Sequence, residues 1–185
     1  QEEMLKKKLA IDQPTGVMNK HSLIGAVQKL LKHDAVKYFT LGMIDFDDFK
    51  EVNDRCGHLT GDKVLKVFTD IARLHIRKND LLGRFGGEEF VFVFMETDQQ
   101  ASLQILQRIH RELGRYFEKD LNIPVSFSAG VIYVDQAMYP LLQHYTDLFI
   151  DVDRMLYQAK SNGKGRAMSS IGEIRFNTDI VAGKT

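Results

Sequence analysis

The sequence has little of three things, and each shortage excludes something. It carries one cysteine, Cys56. No internal disulfide can form, and a reducing, cytoplasmic setting is the natural reading. It carries no net charge, because 25 Lys and Arg balance 25 Asp and Glu. A nucleic-acid partner demands a basic excess, so the balance argues against one, while leaving room for a local basic pocket around a nucleotide. It has no long apolar run. The longest, Phe90 to Met95, cannot span a bilayer. The first ten residues, QEEMLKKKLA, are charged and lack the apolar stretch of a signal peptide. The chain opens on Gln rather than Met, so a piece of a longer protein is expected.

What is present is enough for one domain with a real core: 185 residues, 44% of them hydrophobic. Residues 1–11 read as a polar, helix-prone linker. Turn formers follow (Pro14, Gly16, Asn19), then a helical stripe of Leu23, Ile24, Val27, Leu30 and Leu31. Tyr38 to Ile44 reads as a buried strand that ends in the polar cluster DFDDFKEVND. Val64, Val67, Phe68, Ile71 and Leu74 predict a second helix face. Leu81–Phe85 and Phe90–Phe94 predict a hairpin through Gly86-Gly87, whose glycines would tolerate the positive φ of a tight primed turn. Leu103, Leu106, Ile109, Leu113, Tyr116 and Phe117 predict a long amphipathic helix, and Pro124 to Val134 a strand. Asp147 to Lys160 predicts a last helix, stopped at SNGKG with Gly163 as its cap. Ile171 to Phe176 is a candidate edge strand. This order predicts an α/β fold with a partly antiparallel sheet covered by helices.

Asp45 sits where the first long strand meets solvent, and Glu88 and Glu89 stand immediately before another. If those strands are neighbours, the acids converge and repel unless a cation lies between them. Hard oxygen ligands with open positions suit Mg²⁺ or Mn²⁺ shared with phosphates. Glu88-Glu89 alone reads equally well as a solvated turn. Gly86 and Gly87 favour a ligand, because they let one approach the backbone closely. Lys50, Lys160 and Lys164 are candidate phosphate counter-charges. GHLTGDK and the terminal AGKT both fail the spacing of a phosphate-binding P-loop. Cys56 and His58 have no second pair to complete a zinc site.

Taken in order, five blocks resemble the GGDEF family of diguanylate cyclases in its GGEEF form: DQPTGVMNK (12–20), IDFDDFKEVNDRCGHLTGDKVL (44–65), DLLGRFGGEEF (80–90), SFSAGV (126–131) and MLYQAKSNGKGR (155–166). The resemblance implies a GGDEF domain over residues 12–168, with 169–185 an extension of unknown role. It implies a central, mostly antiparallel sheet flanked by helices, related to the polymerase palm and the class III nucleotide cyclases. The implied reaction condenses two GTP into cyclic di-GMP and two pyrophosphates, with Mg²⁺ or Mn²⁺. In this mapping Asp45, Glu88 and the Phe46 carbonyl bind metal, and Glu89 supports the metal or the base role. Asn53 and Asp62 read guanine. Lys160 and Lys164 hold phosphates, helped by amides near Phe46 to Phe49, with Lys50 a further contact. Each domain would hold one GTP, so an antiparallel homodimer, at least transient, is implied. An upstream sensory domain, absent from this chain, would control the encounter.

Arg77 and Asp80 form an R-x-x-D whose first residue lies nine before Gly86. At that offset the resemblance implies a site where cyclic di-GMP inhibits the enzyme; an ordinary ion pair at a helix end fits the same residues. Two other readings of the whole chain stand beside the enzyme. One is a module that senses GTP or cyclic di-GMP without turnover, though such modules usually lose signature acids. The other is a structural or dimerising domain, for which the polar set would have no purpose.

Overall fold

A computed structural model describes residues 10–32, 36–121, 123–142 and 144–176 of the chain. The helical lead-in expected before residue 10 lies outside the described residues. The elements are β1 (Met18–Asn19), α1 (Lys20–Lys32), β2 (Tyr38–Phe46), α2 (Phe49–Cys56), α3 (His58–His75), β3 (Leu81–Arg84), β4 (Glu89–Met95), α4 (Gln99–Phe117), β5 (Phe127–Asp135), a 3₁₀ turn (Tyr139–Leu141), α5 (Thr146–Ser161), β6 (Arg166–Ser169) and β7 (Gly172–Arg175).

The described strands form one seven-stranded sheet in the order β1-β3-β4-β2-β5-β6-β7. Only the β1–β3 and β5–β6 pairs are parallel, so the sheet is mostly antiparallel, as expected. β2 is central and buried almost throughout. Its neighbour β4 reads as a continuous apolar run because both its faces are covered. Phe90, Phe92 and Phe94 pack with α3 and α4 through Phe68, Leu106 and Ile109. Val91 and Val93 face the opposite layer, where Leu23 and Val27 of α1 meet Val152 and Leu156 of α5. β7 is the edge strand expected near Ile171 to Phe176, and Phe176 itself is buried in the core.

Three sequence expectations need correction. Leu74 is 80% exposed. The inward stripe of α3 runs instead through Gly61, Val64, Leu65, Phe68, Ile71 and Ala72, leaving Leu74 outside it. Tyr116 is exposed because its neighbour Phe117 takes the inward position at the end of α4. The polar cluster after β2 is also helical. α2 buries only Phe49 and Val52, one turn apart, and turns its polar residues outward, which hides its periodicity.

One glycine fixes how closely the second helical layer approaches. A Cβ at Gly130 in β5 would collide with the backbone of Val152 and Leu156 in α5. Gly130→Ala should therefore force α5 off the sheet and cost about 2–3 kcal/mol, read as a lower midpoint in urea unfolding.

Candidate active site

β2 and β4 are antiparallel neighbours in a register that sets Asp45 opposite Glu89. The strands thus bring Asp45, Glu88 and Glu89 to one end of the sheet. The Asp45 carboxylate is half-buried, and its Oδ1 is buried with no hydrogen-bond partner. Burial raises its pKa to about 6; Lys160 opposes the rise, and the charges of Glu88 and Glu89 reinforce it. An acid held in this way is poised to accept a cation. Among the described residues no three His, Cys, Asp or Glu side chains are already gathered as a metal cage. The donor chemistry nonetheless suits a hard divalent ion: an orphaned carboxylate oxygen, repelling acids beside it, and a strand-end carbonyl at Phe46.

The hairpin that carries Glu88 is not the tight primed turn expected. Neither Gly86 nor Gly87 takes a positive φ. The loop spans Phe85 to Glu88, closed by the Phe85 amide donating to the Glu89 carbonyl at 2.8 Å. Glu89 Oε2 lies close over Gly86, where a Cβ would push that carboxylate aside. Arg84 fixes the loop from beneath. Its guanidinium donates to the carbonyls of Gly86 and Gly87 (2.6 Å to the latter) and pairs with Asp12 at 3.2 Å. Sequence reasoning missed Arg84, although its place just before the glycines was a usable signal.

Lys160 lies at the centre of the site. Its Nζ donates to the Phe46 carbonyl at 2.8 Å and to Asp47 Oδ1 at 2.9 Å, and lies 3.6 Å from Asp45 Oδ2. Asp47 also escaped the sequence reading. It is buried and accepts from the Ser126 and Ser128 hydroxyls, each at 2.8 Å, and from the Gly165 amide at 3.0 Å. Burial pushes its pKa up, but the hydrogen bonds from Lys160 and the two serines win and hold it below the usual range. Behind it, His110 Nε2 lies 3.0 Å from Ser126 Oγ, with the ring against Phe127 and Phe176. Burial depresses His110 to about 4, so it is neutral at pH 7. Ser126 gives its proton to Asp47, so His110 must be the donor to Ser126.

Lys164 pairs with Asp48 rather than with the Asp45 group. Lys50 is exposed on α2. Phe49 is buried, so only its backbone is available to a ligand. Asn53 of α2 abuts Gly61 of α3, where a Cβ would collide with Asn53 Oδ1, and Asp62 follows, exposed. Of the R-x-x-D pair, Arg77 is exposed but Asp80 is buried. Asp80 Oδ2 accepts from the Arg77 amide at 2.7 Å and Oδ1 from the Met95 amide at 2.9 Å, tying the turn to the end of β4.

Comparison with known proteins identifies the family and the fold. Residues 9–166 match the family described as "Diguanylate cyclase, GGDEF domain". Diguanylate cyclase DgcP of Pseudomonas aeruginosa is 31% identical over 165 residues, which cover 87% of this chain and 24% of DgcP. The chain spans only 24% to 36% of the length of curated relatives such as DgcP and the Escherichia coli cyclase DosC. The solved "active GGEEF domain of a diguanylate cyclase from Vibrio cholerae" superposes with a TM-score of 0.70 at 28% identity, over 82% of this chain and 96% of that one. The coiled coil and GGDEF domain of Caulobacter crescentus DgcB superposes at 0.81, over 91% and 90% of the two chains. At 19% identity it supports the fold alone. No described helix is long and apolar enough to cross a membrane.

Proposed function

The chain belongs to the diguanylate cyclase GGDEF-domain family, and from that premise we propose that it condenses two GTP into cyclic di-GMP with release of two pyrophosphates. One observation carries the reading most. A buried, unpartnered Asp45 oxygen lies at the strand end shared with Glu88 and Glu89, with a lysine ammonium alongside. Such an arrangement is costly unless a cation and an anionic substrate complete it.

In this reading Asp45, Glu88 and the Phe46 carbonyl would hold Mg²⁺ or Mn²⁺, with Glu89 in support. The bound ion would supply charge neutralisation at the α-phosphate and ease loss of the attacking hydroxyl's proton. Lys160 and Lys164 bind phosphate oxygens, and the open amides at the start of α2 and the Lys50 ammonium add to that grip. Asp62 accepts from guanine N1–H and N2–H₂, and Asn53 pairs with what remains. Adenine lacks that donor pair, so GTP is preferred. Each domain carries one GTP, and two domains meeting about a two-fold axis bring each 3′-hydroxyl to the other's α-phosphate. Product inhibition belongs to the same reading. Asp80 fixes the turn, and the exposed Arg77 guanidinium forks onto cyclic di-GMP.

A non-catalytic sensing module is the second reading. It draws on the Lys160 ammonium, which already satisfies the Phe46 carbonyl in this structure. The two separate by incubating concentrated protein with GTP and Mg²⁺ and looking for cyclic di-GMP by chromatography. The cyclase reading expects product that vanishes in Glu88→Gln. Nucleotide binding with no product would favour the sensor. Gly61→Ala tests the guanine contact independently. It should displace Asn53 and raise the KM for GTP about tenfold or more, with little change in thermal stability.

A further inference from the structure

Asp48 introduces a carboxylate where a phosphate-binding site has no use for one. It precedes α2 at the N-cap position, where an Asp normally accepts from the helix's first amides. Asp48 does not: it adopts a left-handed conformation (φ 51°, ψ 34°) and makes no capping bond. Its carboxylate instead takes the Lys164 ammonium at 2.6 Å. Lys164 is itself left-handed (φ 63°), in the turn after α5 between Gly163 and Gly165. Two non-glycine residues thus hold an uncommon backbone conformation on either side of one ion pair. The next amide along, Gly165, is bonded to Asp47, so this turn is pinned beside the pair. Asp47 and Glu51 also bear on Lys164. The first amides of α2 are left without a side-chain cap.

Resting on the nucleotide reading of this site, we propose that Asp48 sets substrate affinity by holding Lys164 in competition with the triphosphate. Without nucleotide, the ammonium is neutralised by Asp48. To engage it, a phosphate must displace that carboxylate, and the displaced charge then stands close to the incoming phosphates and repels them. The pair is exposed on both sides, with side-chain exposures of 44% and 59%. Exposed pairs are individually weak, so the contact restrains Lys164 without locking it.

The test is binding of 3′-deoxy-GTP, which lacks the attacking hydroxyl, and of inorganic tripolyphosphate, both with Mg²⁺ and followed by calorimetry. Asp48→Asn keeps a residue that tolerates the left-handed conformation; Asp48→Gly removes the side chain altogether. Both variants should bind each probe about three- to tenfold tighter than the parent. The gain should shrink once Lys164 is replaced by Met in the same chain. Unchanged or weaker binding in both Asp48 variants overturns the proposal. So does a gain of equal size in the Lys164→Met background, which would mean plain charge repulsion with no competition for the lysine. If the parent binds neither probe, the nucleotide reading itself fails, and that result is distinct from either of these.

Discussion

Replacing Asp45 with Asn should lower cyclic di-GMP synthesis by about a hundredfold or more while making the metal-free protein more stable at pH 7. The two effects have one cause. Burial raises the Asp45 carboxyl to about 6, with Glu88 and Glu89 adding to the rise. Between the unfolded value near 3.8 and about 6, the folded protein therefore holds a proton that the unfolded chain has lost. Stability from this group is present at low pH and disappears as pH rises through that window. At pH 7 the ionised carboxylate opposes folding, and a neutral Asn relieves it. After allowance for solvent screening, the gain is on the order of 1 kcal/mol, a rise of about 2–4 °C in melting temperature. His110 has the opposite slope. It is depressed to about 4, so its contribution falls as pH drops below the usual histidine range. The variant loses the Asp45 compensation and should destabilise more steeply than the parent on acidification. Its advantage should be gone near pH 4. Melting curves from pH 4 to pH 8 read both slopes.

The second large effect separates two lysines given the same role by sequence. Lys160→Met should cost about 3–5 kcal/mol, the usual price of leaving a buried ion-pair partner uncompensated. Lys160 bridges Asp47, 6% exposed in its side chain, the Phe46 carbonyl and the edge of Asp45. Without it, Asp47 keeps two hydroxyls and the Gly165 amide, but no counter-charge. Lys164→Met removes only an exposed pair, so its stability should stay within about 0.5 kcal/mol of the parent. Both substitutions should weaken nucleotide binding. Lost activity in Lys160→Met alone is therefore no proof of a phosphate contact, whereas in Lys164→Met it is close to one. Urea unfolding set beside nucleotide titration distinguishes them. Equal stability losses would mean that the Asp47 network does not support the fold.

The parts of this protein that repeat a period were legible from its residues. β2 and β4 announced themselves as apolar runs, and α4 as a stripe from Leu103 to Phe117. Asp45, Glu88 and Glu89 were legible because acids beside buried strands are conspicuous. What stayed hidden depends on distance along the chain. Asp47 draws its partners from residues 126, 128, 160 and 165, and no spacing rule joins these. α2 was masked because a short helix facing a site buries only two residues. Of the two roles read for Gly86 and Gly87, the positive φ is not used; Glu89 Oε2 lies instead over Gly86. The capture of Lys164 by Asp48 could not be inferred, because it depends on two left-handed residues more than a hundred positions apart.

We propose above all that the acids at the end of β2 and β4 face a divalent cation and a guanine nucleotide. Calorimetric titration of 3′-deoxy-GTP into the parent protein and Asp45→Asn, each with Mg²⁺ and with a chelator, tests it most directly. The parent should bind at least about tenfold more tightly with Mg²⁺, and Asp45→Asn should bind equally weakly in both conditions. Parent binding that ignores Mg²⁺, or an Asp45→Asn variant that responds to it as the parent does, would contradict the claim.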